Sequence, residues 1–395
     1  MKTFFVRVTA IFMSVLMLSC GIFTASAETI GQNNVSDLGV EYGSLNLNCK
    51  SAVLMEATTG AVLYAQNPSA ALPPASVTKI MTLLLVMEAI DNGMLRMEDT
   101  VTASANAASM GGSQVYLKEG EQMSVKDMLK SVVISSANDA AVALAEHIAG
   151  TVPSFVDKMN KKAKTLGMKD TFFENVTGLD DTAEQHLTSA MDIALMSRAL
   201  IAHPTILEYS SIWMDTIRDG SFGLTNTNRL VRFYKGCTGL KTGSTSKAGF
   251  CVSATAERDG FSLICVIMGA ESRDVRNAQA TALLDWGFSG YMLYQHEKGS
   301  AGSIRIAGGM KNECPTAYDA FSKILPKGDA SKIETRFSLP QTLAAPIRAG
   351  DKIGQLEFLS NGRVIGNVKI YASEDVEKID FFEIFKRMLA KFLLI

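Results

Sequence analysis

Three short segments carry side chains suited to acyl chemistry. In LPPASVTKIMT (72–82), Ser76 stands three residues ahead of Lys79. Residues three apart share a helix face, so the lysine nitrogen falls within reach of the serine oxygen. Pro73 and Pro74 hold the approach extended and keep helix from starting earlier. Ile80, Met81 and Leu83 to Val86 read as a buried helix behind the pair. A lysine in a first helical turn opposes the macrodipole, which favours negative charge there. Taken alone, the pair also fits a helix start with a solvated lysine. SSANDAA (135–141) holds Ser136 and Asn138, and Asn138 also suits the cap of a following helix. LKTGSTSKAG (240–249) holds Lys241, Thr242 and Gly243, which equally form an ordinary strand ending in a turn.

A free serine is a weak nucleophile and needs a base. No histidine stands near these segments in the sequence, which gives no support to a serine–histidine triad. Lysine can serve if burial or a second cation lowers its pKa. Lys241 is that cation if the end of its strand faces Ser76. The expectation is therefore geometric: three distant segments converge so that two ammonium groups flank one hydroxyl.

The elements that must bring them together follow from periodicity. Residues 51–67 read as two short strands around a Thr-Thr-Gly turn. From 76 to about 210 the pattern is helical, with helices expected at 77–92, 124–135, 138–149, 154–166 and 188–202. Strand patterns return near 239 and continue through GFCVSATAE and FSLICVIMGA, and a helix follows at 273–288. Strands at both ends of a helical block predict an α+β domain, 48–292, whose ends join in one antiparallel sheet.

The flanking regions differ. Residues 1–27 combine Lys2 and Arg7, an apolar run over 8–23 and ASA before Glu28, which reads as an export signal. Residues 28–47 form a polar lead-in. Residues 296–372 alternate apolar and polar and contain Asn361-Gly362, a hairpin signal; they read as a separate small β domain used as a spacer or docking module. In 374–395, Phe381, Phe382, Phe385, Met388, Leu389, Phe392 and Leu393 share one helical face, opposite Asp380, Glu383, Arg387 and Lys391. Such a helix suits a membrane interface; packing on the β domain is the alternative.

Composition excludes several classes. The net charge of the 395-residue chain is −2, and loss of the leader makes it more acidic, so nucleic acid is not an expected partner. The four histidines (147, 186, 203 and 296) lack ligand spacing, so no metal site is expected. Cys49, Cys237, Cys251, Cys265 and Cys314 are odd in number and irregularly spaced; Cys251 and Cys265, in apolar strand-like runs, read as buried small hydrophobes and not as a disulfide framework. No cofactor is expected.

In order along the chain, the set Ser-x-x-Lys, Ser-x-Asn and Lys-Thr-Gly resembles that of the low-molecular-mass penicillin-binding proteins, the serine-type D-alanyl-D-alanine carboxypeptidase family. The resemblance covers nearly all of the chain after the leader and includes FENVTGLDD, MGAESRDVR and LLDWGF. It implies a β-lactamase/transpeptidase-like catalytic domain, a β-rich domain and a terminal amphipathic helix. It implies Ser76 as nucleophile, Lys79 as its base and Ser136 as proton relay to the leaving amine. Asn138 would orient Lys79 and bind the peptide amide. Lys241 would add positive field, Thr242 would bond the substrate carboxylate, and Gly243 would let the strand approach the substrate. Backbone N–H groups of Ser76 and Ser244 would form the oxyanion hole. ESRDVR offers Arg273 and Arg276 for the substrate carboxylate, and the family pattern points to Arg276. Relatives often carry tyrosine or histidine where this chain has Ser244.

The implied partners are a peptidoglycan stem peptide ending in D-Ala-D-Ala, β-lactam antibiotics and a membrane surface. The implied location is peripheral, on the outer face of the bacterial cytoplasmic membrane. Three rivals stand beside this reading, the first a penicillin-binding transpeptidase or endopeptidase, which differs only in the acyl acceptor. A β-lactamase would need a glutamate-held water, and no Glu-x-x-x-Asn element occurs in 160–185. A non-catalytic wall scaffold would not need every motif residue.

Overall fold

The computed structural model describes residues 45–180, 183–329 and 333–393. The expected leader, and all but the last three residues of the lead-in, lie outside them. Two strands near the start, β1 (Ser51–Glu56) and β2 (Val62–Gln66), join three late ones, β3 (Cys237–Thr245), β4 (Gly249–Arg258) and β5 (Phe261–Ala270). The sheet order is β2-β1-β5-β4-β3, antiparallel throughout. Ser51 pairs with Met268 and Glu56 with Leu263, so the two ends of the domain close on each other as expected.

This sheet is buried on both faces, which is why β1 and β5 read as nearly continuous apolar runs. Successive side chains point to opposite faces. Val53, Met55, Ile264, Val266 and Met268 face the helical block. Ala52, Leu54, Leu263, Cys265 and Ile267 face α6 (Arg273–Gly290) through Leu283 and Leu284.

The block contains α1 (Lys79–Asp91), α2 (Val125–Ile134), α3 (Asn138–Ala149), α4 (Val152–Thr165) and α5 (Ala190–Ile201). Ser124, Thr151, Ser189 and Ser272 cap α2, α4, α5 and α6 by accepting backbone N–H bonds. The block is not all helical. Thr100–Thr102 pairs with Gln122–Ser124. Just beyond it, Met214–Ile217 pairs with Phe222–Thr225. These strands are too short for a period of two to register against their helical surroundings.

The β-rich region forms a six-stranded sheet, ordered 333–338, 352–360, 363–372, 313–318, 303–307 and 342–344, beside a pair of 291–296 with 321–326. Asn361 and Gly362 make the expected turn, both at positive φ, between Ser360 and Arg363. The last helix, α7, covers Phe381–Leu393 and starts later than residue 374. Residues 374–380 instead bridge to the β domain, with Val376 opposite Ile347 and Lys378 opposite Gly309. Asp380 caps α7 by accepting from Glu383 N–H at 2.7 Å. Arg387 bonds Glu383 and the Met310 carbonyl, so the polar face meets the β domain. The apolar face stays out, with Phe382 81% and Phe392 86% exposed. No helix among the described residues is long and apolar enough to cross a membrane.

Candidate active site

Ser76 lies in a 3-10 turn (Ala75–Thr78) that runs directly into α1. Pro74 is already in the right-handed helical region, so only the stretch before it is extended. In a 3-10 turn, side chains three apart eclipse, which brings Ser76 and Lys79 together more closely than an α-helix does. Lys79 Nζ donates to Ser76 Oγ at 2.8 Å and to the Thr177 carbonyl at 2.9 Å. The lysine is fully buried. Burial, and next the charge of Lys241, hold its pKa well below the ordinary lysine value, while Asp139 opposes the shift. The shift favours the unprotonated amine, the form that can accept a proton.

The loop 173–180 buttresses this turn. Thr82 Oγ1 donates to the Val176 carbonyl at 2.7 Å. Gly178, at φ +81, packs so closely on Ala75 that a Cβ would sit 1.8 Å from its carbonyl oxygen. Ala75 has φ +49 and Ser136 has φ +63, so both serine segments use backbone that residues other than glycine seldom adopt.

Ser136 lies in the joint between α2 and α3. Asn138 opens α3 but does not cap it; Ala137 is the cap residue and no side chain caps the helix. Asn138 Nδ2 donates to the Gly111 carbonyl at 2.7 Å instead, where Gly112 leaves it room. Its Oδ1 is buried without a hydrogen-bond partner, and the expected contact with Lys79 is not made.

Strand β3 is an edge strand and brings Lys241, Thr242, Gly243 and Ser244 past both serines. Lys241 Nζ donates to Ser136 Oγ at 2.8 Å and to the Thr242 carbonyl at 3.0 Å. Burial and then the Arg276 charge lower its pKa to about 7. The expectation of two ammonium groups on one hydroxyl is corrected: each lysine has its own serine. Gly243 lines the cavity and also packs against the protein itself. A Cβ there would lie 2.7 Å from Ser76 N and 2.9 Å from the Pro74 carbonyl, so the glycine admits the nucleophile's own turn. Thr242 Oγ1 donates to Thr227 Oγ1 at 2.8 Å.

A cavity of about 670 Å³ opens over Ser76, Ser136, Thr242, Gly243 and Ser244. Lys79, Asn138 and Lys241 sit behind its wall. Arg276 lines it but is 3% exposed, bonded to the Cys251 carbonyl and Asn277 Oδ1. Burial and then Arg273 lower its pKa to about 10. Sequence reasoning missed Arg229, Arg232, Ser113 and Trp213, which line the same cavity. The pattern NTNRLVRF (226–233) carries two arginines in a polar run; this was the available signal, but nothing local tied it to the motifs. Among the described lining residues four are arginines and none is acidic. No group of His, Cys, Asp and Glu among the described residues could hold a metal ion. The described cysteines form no disulfide; Cys251, Cys265 and Cys314 are buried, whereas Cys49 and Cys237 are only partly so.

A serine hydroxyl bonded by a buried lysine, set where a helical block meets the edge of an antiparallel sheet, is an arrangement that can perform serine acyl chemistry with lysine in the place of histidine. The D-alanyl-D-alanine carboxypeptidase family matches residues 39–272, and the penicillin-binding protein 5 C-terminal domain matches 295–378. The chain belongs to the D-alanyl-D-alanine carboxypeptidase family. It is 42% identical to D-alanyl-D-alanine carboxypeptidase DacF of Bacillus subtilis (strain 168), over 89% of this chain and 92% of that one. It is 34% identical to D-alanyl-D-alanine carboxypeptidase DacC of Escherichia coli (strain K12), over 85% and 86%. Its fold resembles penicillin-binding protein 5 of Haemophilus influenzae, with TM-score 0.74, 32% identity and coverage of 84% and 98%. It also resembles ampicillin-bound penicillin-binding protein D2 of Listeria monocytogenes, with TM-score 0.57, 34% identity and coverage of 62% and 99%.

Proposed function

We propose that this protein is a serine-type D-Ala-D-Ala carboxypeptidase. It removes the terminal D-alanine from peptidoglycan stem peptides through an acyl-enzyme, and β-lactams acylate the same serine. The observation that carries this reading is the 2.8 Å contact from buried Lys79 to Ser76 Oγ, at the floor of an arginine-lined cavity.

Ser76 Oγ attacks the carbonyl between the two D-alanines while unprotonated Lys79 takes its proton. Backbone N–H groups of Ser76 and Ser244 stabilise the oxyanion. The C–N bond breaks as the proton that Lys79 took from Ser76 passes by way of Ser136 to the departing amine; water then attacks the acyl carbonyl, gives a proton to Lys79, and the shortened peptide leaves as that proton returns to Ser76 Oγ. The Lys241 N–H occupies a Ser136 lone pair, so the hydroxyl proton of Ser136 is directed away from Lys241. Asn138 Oδ1 is a free acceptor for the substrate amide, or for Lys79 once it releases Ser76. Arg276 receives the terminal carboxylate, joined by Thr242 once its hydroxyl turns from Thr227 Oγ1, and Arg229 and Arg273 add positive field.

A β-lactamase needs a carboxylate to activate the deacylating water. The nearby described acids are engaged: Glu174 accepts from Gln185 N–H, Asp139 from Val115 and Leu117 N–H, and Asp180 from Thr245 Oγ1. This favours a long-lived penicilloyl enzyme. We also assign residues 1–27 to export, and α7 to peripheral attachment at the outer face of the bacterial cytoplasmic membrane, because its bulky apolar face is unpartnered.

The test uses protein lacking residues 1–27. It should release D-alanine from a peptide ending in D-Ala-D-Ala and be labelled by penicillin, and Ser76→Ala should abolish both. Release that persists in Ser76→Ala rejects the nucleophile. A wild-type protein that neither releases D-alanine nor takes the label rejects the enzyme in favour of a scaffold.

A further inference from the structure

One histidine does take part in the architecture of the nucleophile, although not as a base. His186, 3% exposed, lies in the segment that returns from the loop 173–180 toward α5. Its Nδ1 accepts the Glu174 N–H at 3.0 Å. A neutral imidazole that accepts at one nitrogen carries its proton on the other. Nε2–H therefore donates to Thr78 Oγ1, 2.8 Å away. Thr78 in turn donates to the Ala75 carbonyl at 2.8 Å. Every link in this chain has one direction.

The last link matters because of where it ends. The Ala75 carbonyl and the Ser76 N–H belong to one planar trans peptide, so they point opposite ways. Anchoring the carbonyl oxygen aims the N–H. That N–H is one of the two donors assigned above to the oxyanion hole. The anchored peptide follows Ala75, whose φ of +49 is not a conformation the chain keeps unaided. Gly178 supplies space around the same carbonyl, and Phe173 meets the imidazole edge-on at 5.7 Å.

We propose that His186 is a positioning residue for the oxyanion hole, acting through Thr78 to hold the Ala75–Ser76 peptide plane. The proposal rests on the carboxypeptidase reading and adds a residue outside its motifs. Burial keeps the ring neutral, with a pKa lowered to about 4, against the pull of Glu174 and Asp180. The hydrogen-bond polarity is thus maintained throughout the neutral range.

The test compares His186→Ala, His186→Gln and His186→Asn by D-alanine release, penicillin acylation rate and thermal melting. Glutamine places an N–H near the Nε2 position and can still donate to Thr78. Asparagine reaches only the Nδ1 position and keeps the Glu174 contact. We expect kcat and the acylation rate to fall on the order of tenfold to a hundredfold in His186→Ala, less than for outright removal of an oxyanion donor, with KM little changed. Glutamine should restore most of the loss and asparagine little. Thr78→Val, which removes the last link without opening a cavity, should reproduce the alanine loss. Equal losses for glutamine and asparagine that follow the melting temperature, or full activity in Thr78→Val, overturn the proposal. Inactive wild-type protein instead overturns the carboxypeptidase reading itself.

Discussion

Lys241 Nζ stands 2.8 Å from Ser136 Oγ, the same separation that holds Lys79 to Ser76. The site is two serine–lysine pairs. Lys241 reaches Lys79 only through its charge, and that charge helps keep Lys79 deprotonated. In the mechanism proposed above, the first pair makes the attack and the second serves the leaving group.

A bell-shaped pH profile is the first consequence. Acylation requires unprotonated Lys79, so kcat/KM should rise as pH climbs through that depressed pKa. It requires protonated Lys241, so kcat/KM should fall above about pH 7 in the free enzyme. Lys241→Arg keeps its charge at every working pH and should carry the descending limb upward. A limb that does not move in this variant removes Lys241 from the assignment.

The buried lysines should also lower stability. The folded-state pKa of Lys79 lies below its unfolded value, so the unfolded chain binds more protons in the window between the two. Stability then rises with pH across that window, and below it the lysine destabilises the fold. Lys79→Met at pH 7 should raise the melting temperature by about 2–4 °C, equivalent to ~1 kcal/mol. The same change should cut acylation on the order of 10²–10⁴-fold. A melting temperature that falls instead contradicts the electrostatic account.

Gly243→Ala tests the close approach of β3 to the Ser76 turn. The new Cβ would meet backbone atoms of Ser76, Val77 and Pro74 at 2.7 to 2.9 Å. Backbone cannot step aside cheaply, so we expect a loss of about 1–3 kcal/mol in thermal or denaturant unfolding. Penicillin labelling should slow by at least about tenfold, a modest share of the cost of displacing an oxyanion donor. Unchanged labelling would mean that the turn tolerates displacement.

The arginines should act on binding more than on chemistry. Arg276→Gln is expected to raise KM for the D-Ala-D-Ala peptide roughly tenfold, with a smaller change in kcat, because a charged hydrogen bond to a carboxylate is worth about 1.5–3 kcal/mol; Arg229→Ala, which removes field and not a bond, should raise it less. Steady-state kinetics separate the two constants. If Arg229→Ala leaves KM unaltered, only Arg276 serves the carboxylate.

Deleting residues 381–395 removes α7 but keeps the bridges at Val376 and Lys378. The truncated protein should lose binding to anionic lipid vesicles in sedimentation assays and keep its D-alanine release and melting temperature. Retained vesicle binding would reject α7 as an interfacial anchor.

Much of this molecule was legible along the chain. The apolar runs at Ala52–Met55 and Leu263–Met268 marked strands, and the structure divides their side chains between two cores. The helix starts expected at 124, 188 and 273 fall within two residues of Val125, Ala190 and Arg273, where serine caps act within one turn. The serine, lysine and glycine motifs were likewise visible, since their spacing is local. The 374–380 bridges were not, because they depend on partners some 30 and 70 residues upstream, Ile347 and Gly309.

Sequence alone determined the chemical parts: a serine one turn before a lysine, a second serine, and a lysine on a strand. Tertiary structure decided how they pair, because hydrogen bonds depend on distance and direction that no local pattern encodes. It gave Lys241 to Ser136, turned Asn138 toward Gly111, and recruited Arg229, Arg232 and His186 from segments without a motif. It also lowered the lysine pKa values, since burial and the charge of a distant residue exist only once the chain has closed around them.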